Sequence, residues 1–410
     1  IKTTQNKAAA PGSPEQRIAD LYTSYISIAR RDQYGIAMIR DELDAILSVQ
    51  TRTELATKLG QVFYNSPIGV ATTIDAGNPK RYIPVLFQSG LGLPNRDYYL
   101  IKKEPYLSDR VAYVSYIEGV LKRAGIQDAA LRAKAIFDFE TKLAQGQWPS
   151  AQLRDPIKTY KLISKRKLLT YAPGFDWQAF LQASGYAGSD TLQLLADTSI
   201  KASAALFAKT PIETLRDYIA FHYLNNHAEL LSKEWSDAYF DFFSRRLEGI
   251  AEQRPIEDRA VEFVNNVLGE EIGKLYVARY FPAESKAKTE TMVGYILAAM
   301  QDHLQQLDWM DKSTRKEALA KLAGFSVEVG YPSQWHDFSS VRIAPEDLVG
   351  NMHRLLNWKR ADELAKLKEP VRRWEWGYNP QQINAFYAPD LNKIAFLAAL
   401  LQAPFFDPNA

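Results

Sequence analysis

The sequence predicts a mainly α-helical fold, and three observations carry that prediction. Apolar residues recur at helical spacing in segment after segment, with capping or turn residues between them. Strand-like stretches are few and short. With 410 residues and 46% hydrophobic content, the chain can build a large core, and at about 100 to 200 residues per unit it predicts two or three units.

Residues 1–12 are small and polar and read as a lead-in. The first helix is marked at Ser13, whose hydroxyl can cap, then Pro14 at the first helical position, where no amide hydrogen is needed, and Gln16 at capping-box spacing. Behind them Ile18, Leu21, Tyr22, Tyr25 and Ile28 share one face. Val111, Val114, Ile117, Val120 and Leu121 make a second stripe, with Gly125 as its stop. The same periodicity predicts helices over 128–144, 214–231, 236–250, 259–281, 286–307, 313–322 and 345–368. Strands are predicted at 62–64, 82–87, 325–329, and as a pair at 382–387 and 393–396. In the first member of that pair Ile383, Ala385 and Tyr387 alternate with Asn384 and Phe386, and Ala388-Pro389-Asp390 supplies the turn. No repeat of fixed period is present, which disfavours a solenoid. A change in character near Gly330-Tyr331-Pro332 predicts a domain boundary.

Composition excludes several function classes. Fifty basic and 48 acidic residues leave a formal charge of +2, so no global field draws the chain to nucleic acid or to an anionic membrane. The absence of cysteine removes disulfides, thiolate metal sites and a cysteine nucleophile. No stretch approaches the roughly 18 consecutive apolar residues of a membrane span, and the first residues lack the basic and apolar blocks of a signal peptide.

The residues by themselves nominate little chemistry. No two of the five histidines, His222, His227, His303, His336 and His353, have the i, i+4 spacing that turns both imidazoles to one metal. His222 and His227, five apart, are rotated about 140° from each other on a helix and read as ordinary helix residues. Carboxylates such as Asp138 with Glu140, or Glu270 with Glu271, read as solvated faces. There is no G-x-S-x-G elbow, Walker loop or G-x-G-x-x-G turn. The aromatic residues, 12% of the chain, fall inside helical stripes and read as core.

Longer strings carry a resemblance. Gly90-Leu91-Gly92-Leu93-Pro94-Asn95-Arg96-Asp97-Tyr98-Tyr99 resembles the GLGLPxRDYY signature of the neprilysin and endothelin-converting-enzyme family of zinc metallopeptidases. Arg154-Asp155-Pro156 with Tyr160 is similar to its RDPxxxY segment, and Leu275-Tyr276-Val277 with Phe281 to its GxLYVxxxF helix. Asp308-Trp309-Met310 followed by Thr314 and Lys316, and then Gly330-Tyr331-Pro332, match its DWM and IGYP landmarks in order. Ile383-Asn384-Ala385-Phe386-Tyr387, Asn392-Lys393-Ile394 and Leu401-Gln402-Ala403-Pro404-Phe405-Phe406 resemble its VNAFY, NxIVFPA and LQPPFF run, with Leu397 and Ala403 standing where the family has proline.

The resemblance implies a large multi-helix domain over 1–335 that roofs an active site and limits the size of entering peptides. It implies a linker helix and the first strands of a thermolysin-like α+β catalytic domain over 336–410. In the family, zinc is held by two His of H-E-x-x-H and a later Glu, with the motif Glu as general base. This sequence contains no H-E-x-x-H. The resemblance therefore places the zinc ligands in a following catalytic segment, assigns no catalytic or metal residue to this chain, and predicts that the residues present bind no zinc. The positions it does carry over are Asn384 and Ala385, which match the residues that hydrogen-bond the substrate main chain at the edge of the cleft. A turn-adjacent Asn bonded to its own backbone is the alternative at Asn384. The expected partners are oligopeptides and the catalytic segment, and family habit implies a bacterial protein in the periplasm or outside the cell. An inactive helical peptide-binding module derived from the same family is the alternative function.

Overall fold

The computed structural model describes residues 9–407, and helices make up most of it. Helix α1 (Pro14–Ile26) starts as its sequence predicts: the Gln16 amide donates to the Ser13 hydroxyl at 3.2 Å, and Ile18, Leu21, Tyr22 and Tyr25 are buried. The Gln16 carboxamide reaches back to the Gly12 amide and not to Ser13. The short helices α2 (Ile28–Tyr34), α3 (Arg40–Leu47) and α4 (Arg52–Gly60) follow, the last opened by a full capping box between Thr51 and Glu54.

A small sheet is threaded through the helices. Its strands are β1 (Ile68–Ile74), β2 (Tyr82–Gln88), β3 (Lys161–Ser164) and β4 (Thr191–Leu194), in the order β1-β2-β4-β3. Only β2 was predicted; residues 62–64 form a turn instead. β1 carries Gly69 in its interior, a residue that weakens strand signals, and its hydrogen is required there because a Cβ would lie 2.3 Å from the Phe87 ring. β3 and β4 have four residues each, too few to register as alternation.

Between these strands run α5 (Asp97–Leu100), α6 (Tyr106–Arg123), α7 (Ala129–Gly146), α8 (Lys165–Tyr171) and α9 (Trp177–Ala183). Of the stripe predicted on α6, Ile117, Val120 and Leu121 are buried, whereas Val111 is 69% exposed and Tyr113 and Tyr116 complete the buried face. Gly125 stops this helix in the left-handed region, at φ +77°. Next come α10 (Asp197–Lys209), the largely buried α11 (Ile212–His227), α12 (Lys233–Tyr239), which continues as a π-helix over Phe240–Leu247, and α13 (Ile256–Val267). The single helix predicted over 259–281 is two. Leu268 leaves helical geometry at ψ 31°, and α14 (Gly269–Tyr280) starts against the Asn379 side chain. Helices α15 (Ala283–Gln306) and α16 (Lys312–Ala323) precede β5 (Ser326–Gly330), α17 (Leu348–Lys366), β6 (Ala385–Ala388) and β7 (Lys393–Leu397).

Two hydrophobic clusters result. The larger runs from Ile18 to Leu355 and takes in Phe338, Val341 and Ile343 of the connector between β5 and α17 (331–347) and Leu348 of α17. The smaller joins Phe281, Val329, Ala398 and Leu401 under the second sheet, whose order is β5-β7-β6. Among the described residues no helix is long and apolar enough to cross a membrane.

The glycine-rich string before α5 is a packing device in the larger cluster. Glu140 of α7 is fully buried and accepts from Tyr99 at 2.6 Å and Tyr113 at 3.0 Å, and His222 approaches it at 2.7 Å. The Gly92 and Leu93 amides donate to the Tyr99 hydroxyl, and Asn65 bonds the far nitrogen of His222. A Cβ on Gly92 would lie 1.7 Å from the Tyr113 hydroxyl, so glycine is what lets the loop reach this carboxylate. His222 is thus a satisfied core residue.

Candidate functional site

The second sheet ends on an open edge. β7 lies between β5, which it pairs in parallel, and β6, which it pairs antiparallel with Ala385 opposite Phe396 and Tyr387 opposite Ile394. The Leu397 amide donates to the Asn384 carbonyl at 3.3 Å, a bond that proline at position 397 lacks the hydrogen to make. Alternation then turns the main-chain groups of Phe386 toward β7 and those of Ala385 and Tyr387 away from it. Among the described residues β6 has no second strand partner, and both Ala385 and Tyr387 are exposed.

Asn384 sits immediately before this strand, with its side-chain oxygen accepting from the Ala385 amide at 2.8 Å. The strand starts later than its alternation predicts. The Gln382 amide bonds the Asn379 carbonyl at 3.0 Å, and the Asn379 amide bonds the Gln382 side chain at 2.7 Å, so 379–382 is a turn. An edge of this kind can add an extended peptide through main-chain hydrogen bonds, with the Asn384 carboxamide as a further polar contact.

The sheet is anchored from below. Lys393, 1% exposed, donates to the carbonyls of Arg373 at 2.6 Å and Glu375 at 2.8 Å and lies 3.5 Å from Glu328; burial pushes its ammonium pKa down. Trp376 donates its indole hydrogen to Glu328, and Arg373 bonds the Leu391 carbonyl. The segment 373–376 is in turn held by a cluster of charges around His336.

That cluster joins α14, the connector, α17 and the segment after it. His336 Nδ1 lies 2.7 Å from Glu270, and its Nε2 lies 3.1 Å from Glu375 and 3.5 Å from Asp362. Burial opposes the charge on His336, but hydrogen bonds with Asp362, Glu270 and Glu375 outweigh it and push the pKa up to about 11. Asp362 and Glu375, desolvated yet bonded to His336 and to Arg372 or Lys366, are held down at about 2. His336, Asp362 and Glu375 are also the one group among the described residues with three potential metal ligands in mutual reach. The protein's own cations fill it: Arg372 lies 2.6 Å from Asp362 and 3.0 Å from Glu375, and Lys366 lies 2.8 Å from Glu375. A dication would compete with both of these and with the imidazolium proton, so the cluster works as an ion-pair clamp.

A pair of histidines elsewhere behaves in the opposite way. His227 Nε2 and His353 Nε2 face each other at 3.0 Å beside a cavity of about 320 Å³. Burial pushes the His227 pKa down to about 4 and lowers that of His353 as well, so both rings are neutral at pH 7. Sequence reasoning took His227 for an ordinary helix residue and gave His336 and His353 no role. Their partners lie on other elements, and no local spacing signals such pairs.

A family model described as Peptidase family M13 matches residues 1–332. Neprilysin-3 of Drosophila melanogaster is 30% identical over 369 residues, covering 84% of this chain and 46% of that protein. Endothelin-converting enzyme 1 of Bos taurus is 28% identical over 368 residues, covering 85% of this chain and 48% of its own length. The chain therefore spans about half the length of the curated relatives it matches. The solved structure of the Mycobacterium tuberculosis zinc metalloprotease Zmp1 in its open state superposes with a TM-score of 0.92 at 35% identity, covering 100% of this chain and 64% of that one. The inhibitor complex of the same protease gives a TM-score of 0.93 at 34% identity and covers 63% of that chain.

Proposed function

The chain belongs to peptidase family M13, the neprilysin and endothelin-converting-enzyme family of zinc metallopeptidases, and on that premise we propose that it is the helical, substrate-admitting portion of an endopeptidase that cleaves oligopeptides. In this reading the free edge of β6 receives the peptide. Ala385 and Tyr387 pair with its main chain, and the Asn384 carboxamide turns from its own backbone to a substrate amide or carbonyl. The observation that carries the reading is this exposed edge, whose outward main-chain groups lack a strand partner among the described residues. Main-chain pairing gives affinity with little dependence on side-chain identity.

The residues present do not fit the family's zinc. The sequence has no H-E-x-x-H, and the His336 cluster is filled by Arg372 and Lys366. In this reading the ligands and the general base belong to a catalytic segment outside this sequence, and this chain contributes peptide binding, positioning and the size limit on entry. Exposed apolar side chains on α15 and beyond it, among them Tyr295, Ile296, Trp309 and Phe405, are surface that such a segment would cover. The family habit of export makes the periplasm or the cell exterior the proposed location.

The test is kinetic. In an enzyme extended through the zinc motif, Asn384→Ala is expected to weaken transition-state binding by about 1 to 3 kcal/mol, read as kcat/KM. Unchanged kinetics across several peptides would remove Asn384 from the site. The 410-residue chain alone is expected to hydrolyse no peptide, and robust chelator-sensitive cleavage by it would overturn the division of labour.

A further inference from the structure

We propose that the segment from Arg154 to Tyr171, which forms a turn, β3 and α8, is a docking surface for an anionic lipid bilayer. The chain as a whole carries a formal charge of +2, yet this one segment holds six basic side chains and a single acidic one. The charge is therefore local. Three large aliphatic side chains stand out of it: Ile157 is 86% exposed, Leu169 50% and Leu162 40%.

Local bonding displays these side chains and does not bury them. The Asp155 carboxylate accepts from the Ile157 and Lys158 amides at 3.0 and 3.2 Å, and the Asp155 carbonyl accepts from the Thr159 hydroxyl at 2.8 Å. Tyr160 ties the turn to Asp75, after β1, at 2.7 Å, and Ile157 projects from the turn so held. The chain then enters β3, an edge strand of the first sheet. Ile163 is buried in the larger cluster, so alternation points its neighbour Leu162 away from that cluster. β3 runs directly into α8, whose Leu168 is buried in the same cluster. Helical spacing sets Arg166 about 160° from Leu168, with Lys167 and Leu169 on the flanks. Strand and helix thus turn their exposed residues away from one common core.

The cations divide into two groups. Lys161 is committed to Asp197 and Tyr171, and Lys165 to the Ala187 carbonyl, so these two fix the strand and the helix. The Arg166 and Lys167 side chains have no hydrogen-bond or ion-pair partner among the described residues. Lys158 has the Asp155 carboxylate at 3.3 Å, an exposed pair that contributes little. Lys201 of α10, over the Tyr171 ring at 5.6 Å, adds one more positive charge alongside. A protein partner of fixed shape needs a groove or a continuous apolar face, whereas here the aliphatic side chains stand singly between cations. A bilayer suits that arrangement because its headgroups and acyl chains rearrange around each of them. Ile157, Leu162 and Leu169 enter the boundary between headgroups and acyl chains, and the lysine and arginine heads stay at the phosphates.

Vesicle sedimentation with the purified chain tests this. Binding is expected with vesicles of equal parts phosphatidylcholine and phosphatidylglycerol at low salt, fading as salt is raised, and no binding with phosphatidylcholine alone. Arg166→Gln combined with Lys167→Gln should weaken it about tenfold or more. Ile157→Ser, which leaves the charge unchanged, should weaken it about threefold or more. All three positions are exposed, so circular dichroism should show both variants folded like the parent. Failure to sediment with the mixed vesicles would overturn the proposal, as would binding that the double substitution leaves intact. Binding lost in the double variant but unchanged in Ile157→Ser would also overturn it, by making the surface a landing site for an acidic protein. The segment belongs to the first sheet and its helix, so the result stands or falls separately from the role of β6.

Discussion

The helical body and the C-terminal sheet treat buried and edge polar groups in opposite ways. In the body, Glu140 is sealed among Tyr99, Tyr113 and His222, with the Gly92 and Leu93 amides closing on the Tyr99 hydroxyl. In the sheet, Lys393 and the His336 clamp fix the strands from below, and the outer side of β6 is left unpaired. A closed network rigidifies, because every donor has one place to go. An open edge can bind, because its donors and acceptors still have free energy to gain from a partner.

Removing the sealed carboxylate should have the largest effect. Glu140→Ala strands several buried donors at once and is expected to lower unfolding free energy by about 3–5 kcal/mol, measured by urea denaturation. A loss under about 1 kcal/mol would mean that the network is not closed and would break the comparison.

The clamp should respond to pH with a definite sign. The folded-state pKa of His336 is raised from 6.5 to about 11, so its contribution is complete below about pH 6.5 and is lost as pH rises toward 11. The gap in thermal midpoint between the parent and His336→Gln should therefore be widest at mildly acidic pH and close in alkali. The neutral His227 gives the reverse dependence, because its folded pKa is lowered to about 4 and its contribution is lost as pH falls from 6.5. His336 data that are flat in pH would mean that hydrogen bonds without charge hold the clamp.

The smallest effect sharpens the contrast most. Asn384→Ala in the chain itself is expected to change unfolding free energy by no more than about 0.5 kcal/mol, since the half-buried side chain bonds only the amide next to it. A residue that is nearly neutral for stability but costly in the extended enzyme is the signature of an open site. A large stability loss would instead make Asn384 a structural cap on Ala385.

Helices with strong stripes and clear stops were legible in the sequence, as at Ser13-Pro14 and Gly125, and so was the β6–β7 hairpin. The short strands β3 and β4 were not, since four residues carry too little alternation and tertiary pairing decides them. The break at Leu268 was hidden because apolar spacing continues across it, and the Asn379 side chain that meets Gly269 lies more than a hundred positions away. Asn384 and Ala385 were found only through a family string. The His336 and His227–His353 groupings left no local trace, because each is assembled from separate elements.

The parallel pairing of β5 with β7 bears on the order of folding. Ser326 lies beside Lys393, so the connector, α17 and the clamp segment are all enclosed between two neighbouring strands. Closing so long a loop carries an entropic cost that local hairpin contacts cannot offset, and contacts of such high sequence separation slow folding. The β6–β7 hairpin can form early by itself, but it takes its place beside β5 and over Phe281 only when this loop closes. The open edge is therefore among the last features of the chain to be built, and a refolding experiment should see it appear after the helices.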